Sequence, residues 1–238
     1  MLTHLALFRQ RALMIALIAF VIVFVLWNVP QLGFILYPIR LFVTFVHESG
    51  HGLAAIISGG RFVNLTVFAD GSGVALTAGG SPLLILPAGY LGAALFGAVL
   101  FYLVNTVPFP RTISLVLAIL VAIITLAFTS FLSTAWLVGL GMALVLVLLW
   151  RVGDRSVNLL VLDVLAILTG LNAVLDLLTV ITHPDIALGT TRNDAAAFSA
   201  AVAPIIPGVI WALLWALLAV IMLGAAVYFS HIRRRTIL

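Results

Sequence analysis

Cysteine and lysine are both absent from the 238 residues, and glutamate occurs once, at position 48. Without cysteine there can be no disulfide and no thiolate metal ligand, so only histidine, aspartate and glutamate remain to hold an ion. Charge of either sign is scarce. Charged residues make up 8% of the chain against 65% hydrophobic, and the mean hydropathy is +1.35. No water-soluble domain has that balance, so the chain reads as one all-α polytopic membrane domain over 1–238, with no room for a second, soluble one. The apolar runs are continuous rather than alternating, which argues against a membrane β-barrel. The net charge of +4 comes from eleven arginines. They sit mostly at the ends of apolar runs, where the positive-inside rule and anionic head groups account for them, so no nucleic-acid partner is implied and the bilayer itself is the first partner.

Six to seven transmembrane helices are expected. The apolar runs cover 12–29, 32–58, 82–104, 112–131, 133–150, 157–182 and 204–229. The first, following Arg9 and Arg11, could imitate a signal peptide. It lacks a small-x-small cleavage site before Pro30 and is expected to be retained. After the second run the pattern changes. Arg61 to Phe68 partly alternates and is rich in β-branched and aromatic residues; Asp70-Gly71-Ser72-Gly73 is a turn; Val74 to Thr77 can return as a second strand. This reads as a short β-hairpin or re-entrant loop at the interface or in a protein cavity, since unpaired strand edges cannot face lipid. The stretch 183–203 reads as a loop. The arginines do not fix an orientation: Arg111, Arg151, Arg155 and Arg233 to Arg235 argue against Arg9 and Arg11 if seven helices span, and an even number would reconcile them.

One stretch carries chemistry: His47-Glu48-Ser49-Gly50-His51, inside the second apolar run. Histidines at i and i+4 lie about 40° apart on a helix, one turn above each other, so both imidazoles can reach one ion. A glutamate after the first histidine can hold and deprotonate a water there. This is the H-E-x-x-H pattern of zinc hydrolases. In a soluble helix it can be only a solvated polar face. Here a charge at mid-bilayer costs at least about 2.5 kcal/mol, which weighs against that reading.

A catalytic zinc takes three protein ligands and leaves a fourth place for water. Asp163 and Asp176 lie in one run, 13 residues apart, and so point about 140° away from each other. Asn172 and Asp176, at i and i+4, share a face. Asp176 is the expected third ligand, with Asn172 beside it as a supporting or substrate-binding group. Asp194 and Asp163 are its rivals. The plainer role for Asn172 and Asp176 is polar glue between helices. Asp163 is expected to pair by charge or hydrogen bond near the Arg155 end of its helix. His183 reads as a surface loop histidine, and His4 and His231 as solvated tail residues.

With these residues in hand, the chain resembles the site-2 protease-like intramembrane zinc metallopeptidases, in the compact branch without a PDZ domain. The resemblance rests on His47 to His51, on Gly59-Gly60, on the Asp70 to Gly73 turn, on Ala88-Gly89-Tyr90-Leu91-Gly92, on Asn172 to Asp176 and on Asn193-Asp194-Ala195. Only the first of these is specific. The resemblance implies zinc on His47, His51 and Asp176 and a general base at Glu48. It also implies a membrane-spanning protein substrate and a multi-pass place in a bacterial cell membrane. Asp176 is followed by Leu177-Leu178 rather than the Asp-Gly of the better-known members, which is a departure at the third ligand.

Other classes fit the same residues. A metal transporter would need polar residues along several spans, and the third to fifth have almost none. A proteolytically silent metal-binding scaffold would carry the same motif. A haem clamped by His47 and His51 is excluded, because two histidines one turn apart cannot bind its opposite faces.

Overall fold

The computed structural model describes residues 2–183 and 193–232. Asp185, Arg192, the Arg233 to Arg235 cluster and the side chains of His4 and Arg9 lie outside what is described. Helix α1 (Leu2–Asn28) ends at a short 3-10 turn opened by Pro30. It is followed by α2 (Gly33–Ile57), strands β1 (Arg61–Val67) and β2 (Gly73–Ala78), and the short α3 (Pro82–Ile85). The helices α4 (Ala88–Thr106), α5 (Pro110–Phe128), α6 (Thr134–Val152), α7 (Arg155–Thr182), α8 (Asp194–Val202) and α9 (Gly208–Val227) complete the chain, with a last π turn at Tyr228–Ile232.

Six of these helices are long and apolar enough to cross a membrane: α1, α4, α5, α6, α7 and α9 with its last turn. The seventh candidate, α2, is about 37 Å long by its rise, but Arg40, His47, Glu48 and His51 make it more polar. Its buried stripe recurs every three to four residues through Leu41, Phe45, Glu48, Gly52 and Ala55. The glutamate is therefore on the core side, not toward lipid.

The third apolar run is divided. Pro87 has no N–H for the carbonyl four residues back, so the helix stops at Ile85 and restarts at Ala88. The restarted α4 packs between α2, α7 and α9. Small residues allow it. A Cβ at Gly97 would lie 2.7 Å from the Ala166 carbonyl oxygen of α7, and one at Gly50 would lie 2.2 Å from the Ala88 carbonyl oxygen.

The hairpin is antiparallel, from Arg61 opposite Ala78 to Val67 opposite Gly73, with an irregularity between Phe62 and Asn64. Phe62, Leu65 and Val67 are buried, and Phe62 stacks on Phe128 of α5 at 4.2 Å. Asp70 Oδ1 accepts from the Ser72 amide and hydroxyl at 2.9 and 2.7 Å, and Gly71 takes a φ of 94° that favours glycine. The tip is tied to α2, where Tyr37 donates to the Ala69 carbonyl and Thr44 to the Gly71 carbonyl, both at 2.7 Å.

The 183–203 stretch is not all loop. Asn193 caps α8 by accepting from the Ala196 amide at 2.9 Å. Phe198 then packs edge-on against Trp211 and Trp215 of α9, at 4.7 and 5.4 Å. A Cβ at Gly208 would lie 2.9 Å from the Ala196 Cα, so α8 lies directly on the start of α9.

Candidate metal centre

The anchoring of α8 brings its first residue, Asp194, to the H-E-x-x-H turn of α2. Asp194 Oδ2 lies 3.1 Å from His47 Nε2 and 3.2 Å from His51 Nε2, and the two Nε2 atoms are 3.1 Å apart. Two nitrogens and a carboxylate oxygen therefore form a nearly equilateral triangle. Converging lone pairs repel unless protons or a cation sit among them. The corners of such a triangle are about 1.8 Å from its centre, close enough together for all three atoms to hold one zinc ion at ligand distances of about 2 Å. Among the described residues this is the one set of three or more histidine and acid side chains close enough to share an ion.

Each corner is held in place. His51 faces the Ile85 carbonyl oxygen through Nδ1 at 2.7 Å. As a donor to that carbonyl, His51 keeps its proton on Nδ1 and leaves Nε2 with a lone pair for the ion. The His47 ring packs edge-on against Tyr90 of α4 at 4.7 Å. Asp194 is the first residue of its helix, where the helix dipole favours a negative charge. Burial alone would push the Asp194 carboxyl up. Positive charge among the imidazoles, supplied by a second proton on His51 when no ion is bound, and the hydrogen bonds to His47 and His51 outweigh it and hold the group below the ordinary carboxylate range.

Glu48 is 6% exposed and lies beside the triangle rather than in it. Strand β2 covers it. A Cβ at Gly73 would fall 2.8 Å from Glu48 Oε1, and the Ala75 backbone amide interacts with the carboxylate. On the other side, a Cβ at Gly89 would lie 2.4 Å from both imidazole Nε2 atoms. Glycine at 73 and 89 thus keeps room at the acid and beside the two imidazoles.

His47, Glu48, Tyr90, Asn172, Asp176 and Asp194 line one cavity of about 420 Å³, with the hairpin tip at its rim. Asp176, expected from the sequence as the third corner, is not part of the triangle. It lies on the α7 wall of the same cavity, where Asn172 donates to its Oδ2. The carboxylate at the imidazoles is its rival Asp194, because α8 folds back over the end of the bundle. Asp163 lies elsewhere, 0% exposed, and accepts from Asn105 of α4 at 2.7 Å. His183 is exposed at the end of α7. His231, expected in a solvated tail, instead packs edge-on against Phe101 at 5.8 Å.

The sequence profile described as Peptidase M50B-like matches residues 14–226. No curated protein and no solved structure matches the chain.

Proposed function

The chain belongs to the Peptidase M50B-like family, and on that premise we propose that it is an intramembrane zinc metalloprotease that hydrolyses a peptide bond of a membrane-spanning protein. One observation carries the reading. The only glutamate of the chain stands beside a His47–His51–Asp194 triangle of 3.1 to 3.2 Å sides, on a cavity inside a bundle of membrane-length helices.

In this reading His47, His51 and Asp194 hold the zinc. When bound, zinc supplies a Lewis acid for the scissile carbonyl and a water with a pKa near about 7. The protein's own groups do the rest. Glu48 takes a proton from the attacking water and delivers it to the leaving nitrogen. The Ile85 carbonyl keeps the His51 ring turned toward the ion. Among the described residues strand β2 has β1 as its one neighbour in the sheet, and its Gly73 to Ala75 stretch lies against Glu48. An unwound substrate segment can add to that edge as a third strand. Asn172 and Asp176 offer polar contacts to the same segment from α7, rather than a ligand to the ion.

The test is zinc stoichiometry and cleavage of single-span substrates in liposomes, for wild type and Glu48→Gln. Glu48→Gln keeps the size of the side chain and removes the base. Zinc should stay bound while cleavage falls by about 100-fold or more. Wild type that binds zinc yet cuts nothing across a broad substrate panel would favour a transporter or a silent scaffold. Glu48→Gln that cuts at the wild-type rate would remove Glu48 from the mechanism.

A further inference from the structure

Hydrolysis of an amide places negative charge on the carbonyl oxygen, and here that charge develops among three carboxylates, Glu48, Asp176 and Asp194. A donor aimed at the oxygen would add to the Lewis acid and stabilise that charge further. Most donors on the cavity wall are already engaged. Tyr37 and Thr44 donate to the hairpin carbonyls of Ala69 and Gly71, Ser72 to Asp70, and Asn172 to Asp176. Arg40 is exposed and seven residues before His47, about 10 Å along the helix.

Tyr90 is different. It is 2% exposed, yet it lines the cavity. Its ring is held edge-on by His47 at 4.7 Å and tilted against Trp215 at 6.4 Å. Among the described residues none hydrogen-bonds to its hydroxyl. Asp194, Asp176 and Glu48 line the same cavity as Tyr90. A hydroxyl on a cavity wall with no acceptor in the fold is free to donate to a group bound in the cavity. Tyr90 also belongs to the first turn of α4, and the positive end of that helix lies against the imidazoles, where it favours negative charge.

We propose that Tyr90 is a catalytic residue whose hydroxyl donates a hydrogen bond to the scissile carbonyl oxygen as it becomes an oxyanion. The proposal rests on the metalloprotease reading above. The water oxygen bonds to the carbonyl carbon while a water proton passes to Glu48. The C=O π pair moves onto the carbonyl oxygen, which accepts from Tyr90. The pair then returns to re-form C=O, the C–N bond breaks, and the nitrogen leaves with the proton from Glu48. Tyr90 keeps its own proton throughout.

Tyr90→Phe tests this, because it removes the hydroxyl and keeps the ring against His47 and Trp215. The probes are a single-span peptide that wild type cuts and a phosphinic peptide of the same sequence, whose tetrahedral oxygens stand in for the oxyanion. Tyr90→Phe should bind zinc one to one, melt no lower than wild type and keep KM within about twofold. Its kcat should fall by about 100- to 1,000-fold, the scale for one lost oxyanion donor. Its affinity for the phosphinic peptide should fall at least about tenfold, while its affinity for the uncut peptide holds. Wild-type kcat and wild-type phosphinic affinity in Tyr90→Phe would overturn the proposal and leave the protease reading standing. Loss of zinc would overturn it in favour of a structural role at His47. A wild type that cuts no peptide overturns both together.

Discussion

Two groups of polar side chains within the same apolar bundle differ in what surrounds them. The first is His47, Glu48 and Asp194, which border a cavity of about 420 Å³, with His51 against them. The second is Asn105 of α4 and Asp163 of α7, 2% and 0% exposed. Asn105 Nδ2 donates to Asp163 Oδ1 at 2.7 Å and to the Phe101 carbonyl at 2.9 Å. The remaining oxygens, Asn105 Oδ1 and Asp163 Oδ2, have no partner among the described residues. Neither residue borders the cavity. An ionisable group in a membrane helix therefore does not by itself mark a reactive site. The second pair joins two helices, as interhelical polar contacts do. The first has room for a substrate beside it.

The largest effect that would separate the two groups is at Asp194. Asp194→Ala should lower zinc affinity by about 100-fold or more and abolish cleavage, while Asp176→Ala and Asp163→Ala keep the metal. Metal analysis of the three purified variants decides it. Full occupancy in Asp194→Ala together with loss in Asp176→Ala would return the third ligand to α7.

A smaller effect sharpens the role of the cavity. Ala75→Pro removes the amide that β2 turns toward Glu48. Cleavage should fall by roughly tenfold, in line with the loss of one hydrogen bond to the Glu48 carboxylate, with zinc still bound. Unchanged cleavage would make the hairpin a connector only.

The smallest effect is expected at the sealed pair. Asp163→Ala removes the side-chain acceptor of Asn105, leaving it the Phe101 carbonyl alone, and should cost about 1–3 kcal/mol of stability. Asp163→Asn should cost less, because an amide can donate to Asn105 Oδ1. Thermal unfolding in detergent measures both, and zinc content should not change in either. A drop in zinc on either substitution would break the distinction between the two groups.

Much of this was legible in the sequence. The i, i+4 spacing placed both histidines on one face, and partial alternation followed by Asp70-Gly71-Ser72-Gly73 gave the hairpin. Helical spacing is local, however, and cannot say which distant segment returns to the motif. Asp176 was the expected ligand because it lies within a membrane span, where an unpaired acid is costly. Asp194 lay in what read as a loop. The sign of α8 was present, in the capping Asn193 followed by an acid and three alanines, but nine residues give too short a pattern to stand out. What carries Asp194 to the site is aromatic packing of Phe198 on Trp211 and Trp215, a contact between different elements that no periodicity encodes.

The interruption of the third apolar run at Pro87 bears on how this protein can vary. In an unbroken helix the Ile85 carbonyl would be the acceptor for the Gly89 amide. With the break, it faces the His51 ring instead. The orientation of that ring is thus written into main-chain shape, and side-chain identity at position 85 is irrelevant to it. Exchanges at 85 among residues of similar bulk should pass unnoticed by His51. Inserting or deleting one residue between Ser81 and Pro87 would rotate the carbonyl away and disorient the imidazole with His47, His51 and Asp194 all unchanged.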